Sequence, residues 1–288
     1  MNATIRKLRK FLSLKRMLLI ALLTAVGLFM FLPIIFLFNH AFKPLNELFL
    51  FPPTIFVKEP TLRNFEQLLL HTSSGLVPFS RYLFNSAVIS AVATLSVILV
   101  STMAGYVLSK HRFHFKTLIM GAIMISLMFV PETVAIPRYL VVSGLGLKDT
   151  YFAHILPFLA SPVAVFLMKQ FIDQIPDSLI DAAKLDGATD MYIFTRIIIP
   201  LTSPAVATVS IITFQAVYMD IEVSTFFMTK ETMKTLAYYA TAMTVNVPGV
   251  AATSLAAAIG LLIFLPNMIM FLIFQRKVIQ TMLHSGVK

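Results

Sequence analysis

Six long runs of apolar residues divide the chain. They cover residues 17–38, 82–108, 117–139, 152–171, 201–219 and 254–274. An α-helix needs about 20 apolar residues to cross the hydrocarbon core of a bilayer, and each run has roughly that length. The pattern therefore predicts an all-α fold, a polytopic membrane protein with six transmembrane helices.

The composition supports a membrane protein and excludes several other classes. Of the 288 residues, 58% are hydrophobic and only 12% are charged, whereas about a quarter of the residues of a soluble globular protein are charged. The net charge of +10 would indicate nucleic-acid binding in a soluble protein. Here the basic residues lie in short segments beside the apolar runs, as the positive-inside rule describes. We therefore predict the lipid bilayer as a partner, and no nucleic acid.

The absence of cysteine limits the chemistry of the chain. Disulfides, thiolate metal sites and cysteine nucleophiles are excluded. The six histidines do not show the spacing of metal ligands, and only His111 and His114 are close together, in a basic loop. No G-x-x-x-x-G-K-[ST] phosphate loop is present, so the chain cannot hydrolyse ATP alone. We predict no catalytic residue and no metal site.

The distribution of Lys and Arg predicts how the runs are oriented. With six helices and both termini in the cytoplasm, the inner segments hold about 15 of these residues and the outer segments about 8, as the positive-inside rule requires. We predict a basic cytoplasmic N-terminus at 1–16, a transmembrane domain at 17–275 and a cytoplasmic tail at 276–288. A signal peptide is the alternative for the first run, but its roughly 22 apolar residues exceed the about 7–15 of a signal core.

The polar segment 175–200 is the most informative interruption of the apolar pattern. It follows the fourth run and lies on the cytoplasmic side in this orientation. Leu179, Ala182 and Ala183 recur at three- and four-residue spacing, which predicts a short helix, and Pro176 suits its first position. Gly187 is the residue expected where a helix ends in a left-handed conformation.

A second short helix is expected after this turn. Met191, Phe194 and Ile198 recur at helical spacing and are predicted to share one side of it. Pro200 then marks the entry to the fifth apolar run. The segment therefore predicts a helix, a sharp turn and a helix, a pattern that a plain connecting loop would also show.

The sequence D-A-A at Asp181, followed after two residues by D-G-A at Asp186, resembles the E-A-A motif of permease subunits of bacterial ABC importers. In that family the loop docks into a cleft of the cytoplasmic ATPase subunit. Asp181 stands where the family usually has Glu, which shortens any charged contact to an arginine of the ATPase. The resemblance implies that the residues coupling this chain to the ATPase are Asp181, Ala182, Ala183, Asp186, Gly187, Ala188, Thr189, Met191 and Phe194.

Residues 39–288 are similar to the smaller permease of carbohydrate ABC importers, the MalG-like branch of this family. Matching stretches include T-L-R-N-F from Thr61, G-Y-V-L-S-K-H-R-F from Gly105 and L-G-L-K-D-T-Y from Leu145. The resemblance implies a type I ABC importer permease fold in a bacterial cytoplasmic membrane. The implied partners are a second, MalF-like permease subunit, two cytoplasmic ATPase subunits that bind ATP and Mg, and an extracytoplasmic solute-binding protein. The implied solute is a sugar or an oligosaccharide.

Three residues near the outer ends of the runs are candidates for the solute pathway: Glu132, Tyr218 and Asp220. A charge in the hydrocarbon is expensive unless it faces protein or water. In a straight third helix with a rise of 1.5 Å per residue, Glu132 would lie roughly 21–24 Å from the cytoplasmic start. Glu132 could instead pair with Arg138, and Tyr218 and Asp220 could be interfacial anchors.

Two other functions remain as alternatives. An ion-coupled secondary transporter needs ionisable residues at the bilayer midplane and two inverted halves, whereas the candidate acids lie toward the outer ends of the runs. An intramembrane enzyme needs a cluster of nucleophile, base or metal ligands, and His154 has no such partner nearby in the sequence. Co-purification with an ATPase, or transport driven by an ion gradient without nucleotide, would distinguish these functions.

Overall fold

A computed structural model describes residues 14–48, 50, 54, 56–70, 77–246 and 251–285. These residues form helices joined by short connections, and none of them forms a β-strand. The predicted basic segment 1–16 lies almost entirely outside the described residues. The chain divides into two compact units, Met1–Leu68 with Asn246–Leu261 and Leu69–Val245 with Leu262–Lys288.

The helices are numbered here in chain order. The α-helices are α1 (Leu14–Ala41), α2 (Leu45–Leu48), α3 (Arg63–Leu70), α4 (Phe79–Lys110), α5 (Lys116–Ser126), α6 (Ala135–Gly144), α7 (Tyr151–Leu159), α8 (Pro162–Asp173), α9 (Asp177–Leu185), α10 (Asp190–Ile193), α11 (Ile199–Leu201), α12 (Ser203–Tyr218), α13 (Glu222–Phe226), α14 (Leu236–Asn246) and α15 (Ala251–Ser285). Two 3-10 turns (Pro131–Val134 and Glu231–Met233) and a π-helical segment (Phe194–Ile198) lie between them.

Several of these helices are long and apolar enough to cross a membrane. Four of them, within the described residues, meet this criterion alone: Arg16–Ala41, Phe79–Lys110, Ser203–Phe226 and Ser254–Ile279. The bent pairs α5–α6 and α7–α8 raise the number to six if each pair forms one span. The all-α fold with several membrane spans is therefore confirmed. Helix α15 continues to Ser285, so most of the predicted tail 276–288 is helical.

The third apolar run is not the straight helix that the sequence pattern predicts. Helix α5 ends at Ser126, Pro131 begins a 3-10 turn, and α6 follows at an angle of 111°. Proline has no backbone N–H and cannot continue the hydrogen bonding of a preceding helix. The straight helix assumed for the depth of Glu132 is therefore wrong, and the position of Glu132 across the membrane stays a prediction.

The fourth run is broken more gently. Helices α7 and α8 meet at an angle of 45°. The Ser161 hydroxyl accepts a hydrogen bond from the Ala164 N–H and so caps α8, and Pro162 occupies the first position of this helix, where a missing N–H costs nothing. The break therefore follows from a local signal to end one helix and start another.

The first unit is stabilised around the connection between α1 and α3. Asn64 is buried, and its side-chain N–H donates to the Lys43 carbonyl at 3.0 Å. Glu47 is also buried, and its carboxylate accepts the backbone N–H groups of Lys58 and Glu59. Burial alone would raise the pKa of Glu47, but these two donors lower it overall. The connection is therefore held by specific hydrogen bonds rather than by apolar packing alone.

Helix α4 is the central element of the second unit. It packs against α7, α8 and α12. Gly105 lies where α4 approaches α8 most closely, because a Cβ atom there would stand only 3.0 Å from the Lys169 backbone nitrogen and from the Met168 Cβ. A small residue at such a crossing lets two membrane helices approach each other. The loop 175–200 follows α8 directly and therefore lies at the C-terminal ends of α4 and α8.

Candidate coupling site

Helix α9 ends in a hydrogen-bonded turn built on Gly187. This glycine has φ +82°, which lies in the left-handed region, where most side chains are strained. Its N–H donates to the Lys184 carbonyl at 3.0 Å, and the Ala188 N–H donates to the Ala183 carbonyl at 2.9 Å. These two bonds define a Schellman motif, which ends a helix abruptly. The predicted left-handed conformation at Gly187 is confirmed.

The second helix of the loop is longer and less regular than predicted. The Thr189 hydroxyl accepts the Tyr192 N–H and caps the start of α10. Helix α10 passes into the π-helical segment Phe194–Ile198 and then into α11. Pro200 cannot donate to the carbonyl four residues before it. We attribute the π-helical turn, which has a wider backbone than an α-helix, to this missing donor.

One side of the loop belongs to the core of the second unit. Ile180, Ile193 and Phe194 are buried in a cluster that also contains residues of α4 and α8. The Phe194 ring lies 5.9 Å from the Tyr106 ring of α4. The half-buried Ala183 also packs on this cluster. Because both helices of the loop contribute to one core, the loop is packed onto the second unit.

The opposite side of the loop exposes apolar side chains beside carboxylates. Leu185 is 89% exposed, Met191 62% and Tyr192 55%. Large apolar side chains that cluster at the surface and are rimmed by polar groups mark interaction sites. We call this surface the docking face, and its exposed acidic residues are Asp181, Asp186 and Asp190.

The structure separates the predicted coupling residues into two groups. Six of them are exposed: Asp181, Ala182, Asp186, Gly187, Thr189 and Met191. Ala183 and Ala188 are half-buried, and Phe194 is only 6% exposed. The prediction that Met191 shares one side of a helix with Phe194 is wrong, since Met191 lies in the first turn of α10, before the helix reaches the core. Ile198 is buried with Phe194.

Two residues of the docking face were missed from the sequence. Like Met191, Leu185 and Tyr192 are exposed apolar side chains beside the turn. Leu185 falls outside the spacing that places Ile180 and Ala183 in the core. The sequence did contain a signal for Leu185: it is a large apolar residue at a helix position that does not face the core.

The C-terminal end of α4, which we call its inner end, is bonded to the start of the loop. The Lys110 ammonium donates to the Asp177 carboxylate at 2.7 Å and to the Ile175 carbonyl at 2.5 Å. The Ser109 hydroxyl donates to the Asp173 carboxylate at 2.6 Å. The hydrogen bond and the charge of Lys110 lower the pKa of the Asp177 carboxyl below its ordinary value. The first residue of α9 is therefore held by the last residue of α4.

Glu132, the first pathway candidate, is exposed in the 3-10 turn between α5 and α6. No hydrogen-bond or ion-pair partner for it lies within the part of the chain that the structure describes. Arg138 pairs with Glu222 at 3.3 Å instead. The expected pair between Glu132 and Arg138 is therefore wrong, and the Glu132 carboxylate is available to solvent or to another molecule.

Tyr218 and Asp220, the other two pathway candidates, are engaged within the second unit. Tyr218 is buried, and its hydroxyl donates to the Leu262 carbonyl at 3.3 Å. The Asp220 carboxylate accepts the Val223 N–H at 2.9 Å at the start of α13. Both side chains make contacts at the C-terminal end of α12, and their contact with a solute stays a prediction.

His154 has a structural partner. Its ring Nε2 lies 3.0 Å from the Met233 carbonyl, and its side chain is buried. Within the described ranges, no group of three or more His, Cys, Asp or Glu residues could hold a metal ion. His154 therefore positions the turn that contains Met233.

Relatives of known name share this sequence over much of its length. The arabinooligosaccharides transport system permease protein AraQ of Bacillus subtilis is 32% identical over 193 residues, which cover 67% of this chain and 68% of that protein. The trehalose transport system permease protein SugB of Mycobacterium tuberculosis is 28% identical over 273 residues, 89% of this chain and 92% of that protein. The sn-glycerol-3-phosphate transport system permease protein UgpE of Pectobacterium atrosepticum is 32% identical over 170 residues, 59% of this chain and 60% of that protein.

Solved structures share the fold at lower identity. A chain in the crystal structure of a bacterial ABC transporter involved in the import of the acidic polysaccharide alginate matches with a TM-score of 0.75 at 20% identity, covering 91% of this chain and 96% of that chain. A chain in the complex of the bacterial alginate transporter with an alginate pentasaccharide-bound periplasmic protein matches with a TM-score of 0.59 at 17% identity, covering 92% of this chain and 96% of that chain.

A family model covers nearly the whole sequence. It is described as the inner membrane component of binding-protein-dependent transport systems, and it matches residues 3–280. The several apolar helices agree with a multi-pass protein of the cytoplasmic membrane. The chain therefore belongs to the family of binding-protein-dependent transport system inner membrane components.

Proposed function

We propose that this chain is the permease subunit of an ATP-driven importer for a sugar or an oligosaccharide, and that its docking face couples it to a cytoplasmic ATPase. Membership of the family supports transport, and two relatives are named for arabinooligosaccharides and trehalose. Other relatives are named for sn-glycerol-3-phosphate. A polyhydroxylated solute is common to all three.

The proposed topology has six spans with both termini in the cytoplasm. The bent pairs α5–α6 and α7–α8 each count as one span. The excess of Lys and Arg in the inner segments supports this orientation. In this arrangement residues 17–275 form the permease domain, and residues 1–16 and 276–288 lie in the cytoplasm.

The observation that carries the proposal is the docking face itself. Leu185, Met191 and Tyr192 are exposed on a loop whose other side is fixed in the core. An apolar and acidic protrusion suits a cleft with apolar walls and basic groups at its rim. The Asp181 carboxylate would accept charge-assisted hydrogen bonds there. Phe194 contributes by positioning, since its side chain is buried within this chain.

The remaining proposed partners follow from the importer assignment. A second, MalF-like permease completes the translocation pathway, and an extracytoplasmic solute-binding protein delivers the solute. Two ATPase subunits bind ATP and Mg and perform the hydrolysis. Glu132, Tyr218 and Asp220 are the residues of this chain that we propose for the pathway, and Glu132 has the strongest support because its exposed carboxylate has no partner among the described residues.

The test is to tag this chain and purify it gently from its native membrane. We expect mass spectrometry to find a second permease and an ATPase at about one to one to two, the stoichiometry of a symmetric ATPase pair on two pseudo-equivalent permeases. The Asp181→Lys variant, purified in parallel, should keep the second permease and lose the ATPase. A homo-oligomer without ATPase, with uptake that follows an ion gradient, would instead establish the secondary transporter.

The solute class is tested separately, by uptake of radiolabelled candidates into cells that lack or express the chain. The panel should contain arabinooligosaccharides, trehalose and sn-glycerol-3-phosphate. Uptake of a neutral sugar alone supports the proposed class. Uptake of the phosphate ester alone would contradict the sugar assignment and leave the importer assignment intact.

A further inference from the structure

Helix α4 is a long, unbroken helix of the second unit. It has 32 residues, so it is about 48 Å long at a rise of 1.5 Å per residue. No proline occurs between Phe79 and Lys110. The α5–α6 and α7–α8 pairs are bent by 111° and 45°, and a π-helical segment interrupts the path from α10 to α11. A movement applied to one end of α4 is therefore transmitted to its other end with little loss.

The inner end of α4 is bonded to the coupling loop through Lys110. The side chain of Lys110 is 9% exposed, and its ammonium has two acceptors, the Asp177 carboxylate and the Ile175 carbonyl. Both acceptors lie at the point where α8 passes into α9. This arrangement fixes the direction of α9 relative to α4, because a bond between a charged donor and two acceptors is directional.

The outer end of α4 is bonded to the stretch 231–236, which runs from the 3-10 turn Glu231–Met233 to the first residue of α14 and which we call the outer strap. Asn85 donates to the Thr232 carbonyl at 2.9 Å and to the Lys234 carbonyl at 2.8 Å. The Ser86 hydroxyl accepts the Leu236 N–H at 2.8 Å. These bonds satisfy backbone groups that helical hydrogen bonding leaves unpaired, and a buried backbone group without a partner is costly.

The apolar core and the Lys110 contact restrain the coupling loop in different ways. The core cluster contains Ile180, Phe194 and Tyr106, and apolar burial is non-directional. It holds the loop against α4 but leaves small sliding or rocking movements inexpensive. The ion pair removes this freedom. Loss of the ion pair should therefore leave the loop folded and docked while weakening the transmission of force.

We propose that Lys110 is a positioning residue that clamps α9 to α4, so that α4 carries movement of the coupling loop to the outer strap. The inference depends on the proposed docking of an ATPase on the loop. It identifies the connection by which nucleotide-driven movement at the cytoplasmic side reaches the external surface of this subunit.

The experiment follows the outer strap directly and needs no knowledge of the solute. The chain contains no cysteine, so Lys230→Cys places one thiol beside the outer strap, at an exposed position. The assembled complex in proteoliposomes is labelled with a membrane-impermeant maleimide, without nucleotide and after trapping with ATP, Mg and vanadate. We expect the labelling rate of this parent to differ by about threefold or more between the two states, since the change of one local equilibrium by about 0.7 kcal/mol suffices.

The clamp is then removed by Lys110→Met in the Lys230→Cys background. We expect the labelling rates in the two nucleotide states to become equal, while ATPase subunits stay bound and hydrolysis continues. Lys110→Arg should restore most of the difference. Charge reversal by Lys110→Glu should remove it, and adding Asp177→Lys should recover part of it.

The matched control is Lys169→Met. Lys169 forms an ion pair of 2.6 Å with Asp173, four residues away in the same helix, so its removal deletes a pair of similar length within one helix and leaves the Ser109–Asp173 hydrogen bond to α4 available. We expect the labelling difference to persist in this variant. An equal loss in Lys169→Met and Lys110→Met would show that general loosening of α8, not the clamp, is responsible.

The remaining outcomes separate the clamp from the proposed function. An unchanged labelling difference in Lys110→Met, or no difference in the parent, overturns the clamp. Loss of the ATPase from Lys110→Met also overturns it, because Lys110 would then act in docking. Retention of the ATPase by the Asp181→Lys variant would contradict the proposed docking face instead.

Discussion

The two ends of α4 hold their neighbours by different chemistry. At the inner end, Lys110 binds the carboxylate of Asp177, a side chain that is 79% exposed. At the outer end, Asn85 and Tyr82 are fully buried and bind groups of the outer strap and of the turn that begins it. Water competes for the first contact but not for the second. The outer end of α4 is therefore part of the folded core, whereas the Lys110–Asp177 contact at the inner end can be lost without unfolding.

The largest effect is expected from a substitution at the outer end of α4. Asn85→Leu leaves the Lys234 carbonyl without its Asn85 donor and removes the acceptor of the Tyr151 hydroxyl, whereas the Thr232 carbonyl keeps Arg81 Nε as a donor. Each unsatisfied group costs about 1–3 kcal/mol, so we expect a loss of roughly 2–6 kcal/mol for the two groups. Thermal unfolding of the purified protein in detergent should show a much lower midpoint, together with loss of assembly.

Asn267→Leu is the matched control for this prediction. The Asn267 side chain donates only to the Ile263 carbonyl of its own helix, which already belongs to the helical hydrogen bonding. The same substitution should therefore lower the unfolding midpoint little. Equal midpoints for Asn85→Leu and Asn267→Leu would mean that the outer strap is not a stabilising element.

The next effect concerns the inner end and is functional rather than structural. Gly187→Val places a β-branched residue at φ +82°, although no atom lies within 4 Å of the added Cβ. The strain of about 1–3 kcal/mol falls on the turn between α9 and α10, so we expect loss of the ATPase and of uptake without loss of membrane insertion. Co-purification and uptake measure this together.

Two further substitutions serve as controls for Gly187→Val. Gly187→Asn should keep much of the activity, because Asn tolerates the left-handed conformation. Gly144 lies in α6 without a positive φ and with open space around it, so Gly144→Val should be tolerated. Full activity of Gly187→Val would show that the turn does not set the docking face.

Met191 and Phe194 differ in burial within the coupling loop, so their substitutions should have different effects. Phe194→Ala empties a core position and should destabilise the protein by about 3–5 kcal/mol. Met191→Ala removes an exposed side chain and should leave the unfolding midpoint nearly unchanged while weakening retention of the ATPase. Thermal unfolding and co-purification of both variants test this reversal. The expectation fails if Met191→Ala unfolds more readily than Phe194→Ala.

The sequence predicted what depends on local rules and composition. The lengths of the apolar runs predicted where helices form. The D-G-A sequence predicted the left-handed conformation of Gly187, because the preference of glycine for this conformation depends on the local backbone alone. The four-residue spacing also predicted a helix after the turn. The family resemblance predicted the transport family to which the chain belongs.

The sequence did not predict what depends on long-range contacts. The angle of 111° between α5 and α6 could not be predicted from Pro131 alone, since prolines inside α1 and α15 leave those helices continuous. Phe194 is buried and Met191 is exposed because the apolar core ends between them. The periodicity of apolar residues indicates a helix face but not how far along the helix the core extends. The Lys110–Asp177 and Arg138–Glu222 pairs join residues 67 and 84 positions apart, and no local pattern indicates them.

Asp149 provides a contact of intermediate character on the second unit. It has φ 57°, and its carboxylate accepts the backbone N–H groups of Thr229 at 2.7 Å and Lys230 at 2.9 Å, as well as the Thr229 hydroxyl. The hydrogen bonds of Asp149 are exposed to solvent, like the Lys110–Asp177 contact at the inner end of α4. It binds a backbone segment, like the side chains at the outer end.

The smallest effect is therefore expected from the titration of Asp149. The Thr229 hydroxyl, and then the Lys230 N–H, lower the pKa of this carboxyl from its ordinary value of 3.8. A lowered pKa in the folded state stabilises the fold at pH values well above 3.8, and the stabilisation is lost as the pH falls through the folded value. For an exposed group we expect less than about 1 kcal/mol. The unfolding midpoints of the native protein and Asp149→Asn, measured from pH 7 downward, should converge on acidification; a constant or widening difference would show that the charge of Asp149 does not stabilise this contact.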